Sequence, residues 1–387
     1  MRPWNPLEPF SSIRPLRVDK RERAVTSTPS VKSIAWNIAV AIPVKNEAER
    51  IASCLRSLSE QYAPNGDALP PFDVVLFVNN SDDETAAIAA ALAPTLNFRL
   101  AVVNATLPPQ DASAGGARRH AMEMAARLLE AQGGPGLVMT TDADSRVPPN
   151  WIAATIAAID AGADAVAGTL ALDPDDEAAL PASLKARGAL EGRYEALVCE
   201  LEARLDPQPH DPWPRHPTES GASFALTLAS FRTVGGVPHQ ALGEDRALAA
   251  ALRLRGFRIR HAPEVKIITS GRLFGRAEGG CADTMRLRIE EPTARCDPYQ
   301  RPALDIVRQS TGRYAGAPTR TLGPEDLPTQ ILLARGLLLI LKASVTLRER
   351  FARIASGIAQ LEKRATFYRS GNSTWLESAT TAMPSDE

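Results

Sequence analysis

A chain of 387 residues is long enough for one large domain with appendages or for two domains. Its 44 basic and 45 acidic residues leave a formal net charge of −1, which gives no basic surface for nonspecific nucleic-acid binding. The four cysteines, Cys54, Cys199, Cys281 and Cys296, show no CxxC spacing and read as reduced thiols rather than a zinc site or a disulfide framework.

Residues 1–33 are Pro-rich, charged and without period, and read as an irregular arm. They lack the apolar core of a signal peptide. Order is expected from 38–44, a short apolar run of the kind that forms a buried strand. A helix over 47–60 follows, with Ile51, Cys54, Leu55 and Leu58 at helical spacing. A second buried strand is predicted at 74–78, then the turn Asn79-Asn80-Ser81-Asp82-Asp83, which also caps a helix from Glu84. A third strand is predicted at 98–103, a long helix at 114–132, and a fourth strand at 137–141 that ends on Asp142-Ala143-Asp144.

Alternating strands and helices with continuously apolar strands predict an α/β domain with a mainly parallel sheet. Ligands in such sheets sit outside the carboxyl ends of the strands. Three polar clusters fall there: Lys45-Asn46-Glu47, Asn79 to Asp83, and Asp142 with Asp144.

Beyond Asp144 the pattern predicts a helix at 151–161, a strand at 164–172 and a helix near 182–204. A Pro- and His-rich loop at 206–217 follows, a stretch of the kind that forms lids or binding loops. A strand at 222–227, a Gly235-Gly236 turn, a helix opened by Gly243-Glu244-Asp245 and a strand at 257–269 come next. The remainder reads as helical, above all 328–365, with a polar tail after Ser370. The apolar run 331–342 is interrupted by Arg335 and falls short of the ~20 residues of a membrane span, so it reads as a packed helix and the location as cytoplasmic.

On extended backbone, residues two apart face one side, so Asp142 and Asp144 are expected to address one divalent cation or one ligand. Oxygen-only sites suit Mg²⁺ or Mn²⁺, with substrate phosphates as further ligands. Glu244 and Asp245 read equally as acids complementing a helix dipole and as a general base for an incoming hydroxyl. Ser113 to His120 places glycines and Arg118 and Arg119 at a helix start, where an anion is favoured; the alternative is a surface helix with solvated arginines. Arg272 and Arg276, among Gly271, Gly275, Gly279 and Gly280, form either a cationic loop over a diphosphate or a surface turn.

Taken in order, these motifs resemble the family 2 glycosyltransferases of the GT-A fold. Ile42-Pro43-Val44-Lys45-Asn46-Glu47 resembles that family's first strand, and Asn79 to Thr85 its acidic turn. Ala117-Arg118-Arg119 is similar to its Ala-Arg-Asn step, and Asp142-Ala143-Asp144 to its DxD motif. Gly221-Ala222-Ser223 and Gly235-Gly236 followed by Glu244-Asp245 complete the series, over about residues 36–270. The resemblance implies a Rossmann-like, mainly parallel mixed sheet flanked by helices, with a helical C-terminal extension. It also implies inverting transfer of a sugar from a nucleoside-diphosphate donor to a hydroxyl acceptor, with Mn²⁺ or Mg²⁺. Pro43, Glu47 and Asp82 or Asp83 would contact the nucleoside. Arg118, Asp142, Asp144, Arg272 and Arg276 would complete the donor site, with Asp142 and Asp144 on the metal. Asp245, with Glu244 beside it, would be the base. The two aspartates would then tolerate each other because a cation and a nucleotide complete them.

Three departures stand out. Asn79-Asn80 replace the more usual aspartates, Thr269-Ser270 stand where relatives often carry a metal-binding His, and no QxxRW motif or membrane span indicates a processive synthase. The expected organisation is an arm at 1–33, a GT-A domain at 34–275 with a nucleotide half to 145 and an acceptor half from 146, a helical extension at 276–370, and a tail at 371–387. The acceptor, a small molecule or a lipid-linked one, is not legible. The apolar helix permits membrane association or a homodimer without indicating either. The rival readings are a catalytically silent GT-A binding or scaffold module and a nucleotidyltransferase, although the latter wants a Gly-rich basic loop where this chain has Lys45-Asn46-Glu47.

Overall fold

The computed structural model describes residues 35–63, 65–310 and 320–342. The expected arm at 1–33, the helical residues 343–365 and the tail at 371–387 lie outside them.

The elements run β1 (Asn37–Val44), α1 (Ile51–Ser59), β2 (Asp73–Asn79), α2 (Thr85–Leu92), β3 (Arg99–Ala105), α3 (Ala114–Gln132), β4 (Gly136–Thr140), α4 (Trp151–Asp160) and β5 (Ala165–Leu172). They continue with α5 (Pro174–Ala179), α6 (Ala182–Leu205), β6 (Phe224–Thr227), α7 (Leu228–Val234), α8 (Glu244–Leu254), β7 (Ile259–Thr269), α9 (Cys281–Glu290), α10 (Ala303–Ser310) and α11 (Leu327–Lys342).

One seven-stranded sheet has the order β3-β2-β1-β4-β6-β5-β7. Only β6 runs against its neighbours β4 and β5; the other pairings are parallel. The apolar strands are buried on both faces because successive residues serve two different cores. Val40, Ile42, Val74 and Leu76 face Leu55, Leu58, Trp151 and Ile156 of α1 and α4. Ala41, Val75, Phe77 and Val138 face Ala121, Met122 and Leu129 of α3 and Leu248 and Leu252 of α8. Each fully buried Leu or Ile contributes roughly 1.5–3 kcal/mol, which makes this double layer the main source of the sheet's stability. The strand ends that carry the polar clusters are in register: Val44 pairs with Val78, and Ala41 with Thr140.

The chain divides into two compact units, one holding the described part of Glu22–Lys185 with Gln208–Pro292, the other Ala186–Pro207 with the described part of Thr293–Glu387. This division differs from the expected boundary at 275 and 276, since α9 groups with the sheet and most of α6 with the C-terminal helices. The second unit has its own core of Tyr194, Leu201, Ile306, Val307, Leu327, Ile331, Leu337 and Leu341. The packed helix expected at 331–342 is α11, whose Ile331, Ala334, Leu338 and Leu341 are buried. Among the described residues no helix is long and apolar enough to cross a membrane.

Three local differences from the sequence reading have simple causes. Regular helix α1 begins at Ile51 rather than Glu47, because 47–50 form a turn in which Arg50 N and Ile51 N both donate to Glu47 O, at 3.0 and 2.9 Å. Helices α5 and α7 have 6 and 7 residues, too few for a periodic signal. Strand β6 starts at Phe224, because Ser223 N closes a turn onto Ser220 O at 3.0 Å.

Candidate active site

At the carboxyl ends of β1 and β2 two turns are tied side by side. Asn46 N donates to Ser81 Oγ at 3.0 Å, and Asp82 N to Asn46 Oδ1 at 3.0 Å. Asp83 accepts from Ala48 N at 3.0 Å and from Thr85 N and Oγ1 at 3.0 and 2.6 Å. Burial pushes the Asp83 acidity one way, but the bonds from Thr85 and Ala48 outweigh it and hold the carboxyl below its usual range. Asp83 therefore builds the turn, while Asp82 presents an exposed carboxylate. Pro43 lies half-buried opposite Phe77. Asn80 adopts φ 48° and clamps Leu107 through its amide, which is why an Asn serves there in place of an acid. Asn79 Oδ1 is buried and has no hydrogen-bond partner among the described residues.

Asp142 and Asp144 do not sit on extended backbone as expected. They lie just past β4 in a turn closed by Ser145 N to Asp142 O at 3.1 Å. Each faces a different arginine. Arg118 Nη2 donates to Asp142 Oδ1 at 2.7 Å, and Arg272 Nη2 lies 3.2 Å from Asp144 Oδ2. Burial, with repulsion from Asp142 second, pushes the Asp144 carboxyl up to about 7 against the pull of Arg272.

Arg118 is the hub. Besides Asp142 it donates through Nε to Glu244 Oε1 at 2.8 Å, and through Nη1 to Thr140 Oγ1 at 2.8 Å and Gly221 O at 2.9 Å. Burial opposes its charge, but Asp142 and Glu244 more than compensate, so its acidity is weaker than that of a free arginine. Of the two partners expected for the Arg118 fork, a phosphate or a carboxylate, this structure shows carboxylates, and four of its donors are engaged inside the protein. The glycines at the start of α3 are sites of close backbone approach from within the protein, Gly116 by Asp111 O, 2.0 Å from where its Cβ would lie. A Cβ on Gly115 would lie 2.1 Å from Gln240 O, so the close backbone approach there is made by the loop before α8.

That approach brings the start of α8 beside the hub. Glu244 is buried and paired with Arg118, which leaves Asp245 as the half-buried carboxylate of the pair. Asp245 Oδ2 accepts from Gly221 N at 2.9 Å. Gly221 thus touches Asp245 with its amide and Arg118 with its carbonyl. A Cβ there would lie 2.3 Å from Arg118 Cζ, which explains the glycine.

The loop after β7 closes the other side. Arg272 Nη1 donates to Glu47 Oε2 at 2.7 Å and Nη2 to Glu47 Oε1, a bidentate pair. Arg276 is exposed and donates through Nε to Asn46 O at 2.9 Å. Ser145 and Thr269 join through their hydroxyls at 3.0 Å. Asp176, on α5, is a residue the sequence reading missed. It accepts from Ser270 Oγ at 3.0 Å, from Gly271 N at 2.8 Å and from Arg50 Nη2 at 3.0 Å. In sequence it is one of three acids in a first helical turn, and nothing there points 94 positions ahead.

The charges therefore form two chains, Glu244–Arg118–Asp142 and Asp144–Arg272–Glu47, meeting at the DxD turn. Among the described residues no group of three or more His, Cys, Asp or Glu side chains is gathered as a metal cage. Asp142 and Asp144 do fit a hard divalent cation, since Asp142 accepts from Arg118 through Oδ1, Asp144 is ion-paired with Arg272 through Oδ2, and each has its other oxygen for a ligand. Such a cation would need its further ligands from a diphosphate and water.

Several solved structures are similar to this chain. The mannosyltransferase PcManGT from Pyrobaculum calidifontis, in complex with GDP-Man and Mn²⁺, is 19% identical over 86% of this chain and 83% of that one, with a TM-score of 0.46. The S. aureus protein TarS, residues 1–349, is 16% identical over 87% and 92%, with a TM-score of 0.42. The glucosyl-3-phosphoglycerate synthase from Mycobacterium tuberculosis, in complex with Mn²⁺, UDP and phosphoglyceric acid, is 16% identical over 72% and 79%, with a TM-score of 0.38. No curated protein matches the sequence. Residues 39–207, which run from within β1 past β5 and hold the DxD turn, match the model of glycosyl transferase family 2, and the mainly parallel seven-stranded sheet flanked by helices is the architecture expected of the GT-A fold.

Proposed function

We propose that the protein transfers a sugar, of the hexose class, from a nucleoside-diphosphate donor to an acceptor hydroxyl with inversion at the anomeric carbon, in the cytoplasm. The observation that carries this reading is the juxtaposition at one sheet edge of the DxD turn and the Glu244-Asp245 helix start, joined through Arg118. The donor's nucleoside would lie by Pro43, Glu47 and Asp82 on the half spanning 34–145, and the acceptor on the half spanning 146–275. Asp142 and Asp144 would hold Mn²⁺ or Mg²⁺, which when bound neutralises charge on the leaving diphosphate. Asp245 accepts the proton of the acceptor hydroxyl as its oxygen bonds the anomeric carbon and the bond to the diphosphate breaks. Glu244 is a positioning residue, tied to Arg118 and not free to take that proton. Arg272 and Arg276 face the diphosphate from the loop after β7.

The test is a thermal-shift and hydrolysis panel with UDP-, GDP-, dTDP- and ADP-sugars, each with Mn²⁺ or Mg²⁺, beside Asp144→Asn. One donor is expected to stabilise the protein and to be slowly hydrolysed, with both effects needing metal and Asp144. Stabilisation by a nucleotide without hydrolysis or transfer to any acceptor would replace this reading with a silent binding module.

A further inference from the structure

Three carboxylates, Glu47, Asp142 and Asp144, crowd one corner of the sheet edge, and the cations nearby are unequally committed. Arg118 is fully buried between Asp142 and Glu244. Arg50 is paired with Asp176 at 3.0 Å. Arg272 alone forms an ion pair with Asp144, at 3.2 Å among the described residues, while gripping Glu47. Its backbone is fixed: Asp176 holds Ser270 and Gly271, and Arg272 N donates to Ser270 Oγ at 3.2 Å. Its side chain is a fifth exposed, and the residues that follow, Phe274 to Arg276, are exposed. A rigid turn thus carries a long cationic side chain at the edge of solvent, seated on the aspartate that would bind metal.

We propose that Arg272 is a placeholder cation: it neutralises Asp144 in the donor-free protein, competes with a divalent cation for that carboxylate, and turns to the diphosphate when metal and donor enter together. Metal alone is then held weakly, and metal with a diphosphate is held well. This inference rests on the transferase reading of the DxD turn.

The test uses Mn²⁺ titrated into the full chain, with free Mn²⁺ followed by electron paramagnetic resonance, first alone and then with inorganic pyrophosphate as the probe. Arg272→Gln is expected to bind Mn²⁺ alone about tenfold more tightly than the parent, and pyrophosphate in the presence of Mn²⁺ about tenfold more weakly. Equal or weaker Mn²⁺ binding by Arg272→Gln overturns the inference. Because that variant leaves Glu47 buried without its partner, Glu47→Gln/Arg272→Gln is compared with Glu47→Gln as well. The same tightening is expected, and its absence is equally fatal. Asp144→Asn separates the two levels of the argument. If it abolishes Mn²⁺ binding while loss of Arg272 does not tighten it, the placeholder fails and the metal site stands. If Mn²⁺ binding survives Asp144→Asn, the metal reading of the turn fails and the placeholder falls with it.

Discussion

Arg118 on α3 and Glu244 on α8 lie 126 positions apart, yet Arg118 Nε sits 2.8 Å from Glu244 Oε1 and both side chains are less than a tenth exposed. A buried pair is expensive to break from one side, because the survivor keeps its charge without its partner; the typical loss is about 3–5 kcal/mol. Glu244→Gln and Arg118→Met are each expected to destabilise the sheet unit by an amount of that order in urea unfolding. The double variant Arg118→Met/Glu244→Leu should cost clearly less than the sum of Arg118→Met and Glu244→Leu. Strict additivity would show that the two side chains act independently.

Asp245 and Glu244 are neighbours with different surroundings, and the difference predicts separate phenotypes. Asn at 245 still offers Gly221 N an acceptor, so Asp245→Asn should melt within a few degrees of the parent and bind donor normally. Its turnover should fall by about 10²–10⁴, the usual contribution of a positioned general base. Steady-state kinetics of Asp245→Asn with full activity retained would move the base elsewhere.

Gly221 is expected to tolerate no side chain. Its Cβ would lie 2.3 Å from Arg118 Cζ and 2.4 Å from Nε, against a guanidinium held by three other residues and by the Gly221 carbonyl. Gly221→Ala should lose about 1–3 kcal/mol through this overpacking. It should also lose activity beyond what the loss of fold explains, because Asp245 takes its amide from the same residue. An alanine variant with parental melting and turnover would mean that the 219–221 segment shifts freely.

Much of this was legible beforehand for physical reasons. Strands β1, β2 and β4 are buried on both faces, so their apolar runs needed no tertiary information, and α3 was long enough for its period to fix both ends at 114 and 132. The DxD turn, Glu244 and Asp245 were singled out by their order along the chain among the other motifs, because acids at a helix start are by themselves ordinary. What could not be read was pairing. Nothing at Asp176 indicates Ser270, and nothing at Arg118 distinguishes a phosphate from Asp142 and Glu244 as its partner, since a guanidinium fork suits all of them. Likewise, local sequence cannot say that the backbone approaching Gly115 belongs to Gln240 and that approaching Gly116 to Asp111.

The segment leading to Gly221 is anchored by a buried ionic cluster whose pH response can be worked out. His261 Nδ1 lies 2.8 Å from Asp211 Oδ2, and its Nε2 lies 3.3 Å from Glu219 Oε1. Arg215 and Arg260 also reach Asp211, Arg253 reaches Glu219, and the His216 ring stands edge-on to His261 at 5.8 Å. Burial works against the His261 charge, but its bonds to Asp211 and Glu219 prevail and raise it above its ordinary 6.5. Its stabilising contribution is thus complete below 6.5 and is lost as pH rises through the raised value. His216 goes the other way: burial, then His261, pull it down to about 4, so it stays neutral in the fold. The unfolded chain takes up a proton there first, and stability falls as pH drops from 6.5 toward 4. Asp211 resists its own burial through the His261 bonds and is held at about 2, so its contribution, complete above 3.8, disappears only as pH approaches 2. Together these give a stability maximum for this cluster near pH 6.5, with an acid slope from His216 and an alkaline slope from His261. Melting temperatures measured across pH 4 to 9 should show it, and His261→Asn should flatten the alkaline side while leaving the acid side in place. An alkaline slope unchanged in that variant would assign it to groups outside the cluster.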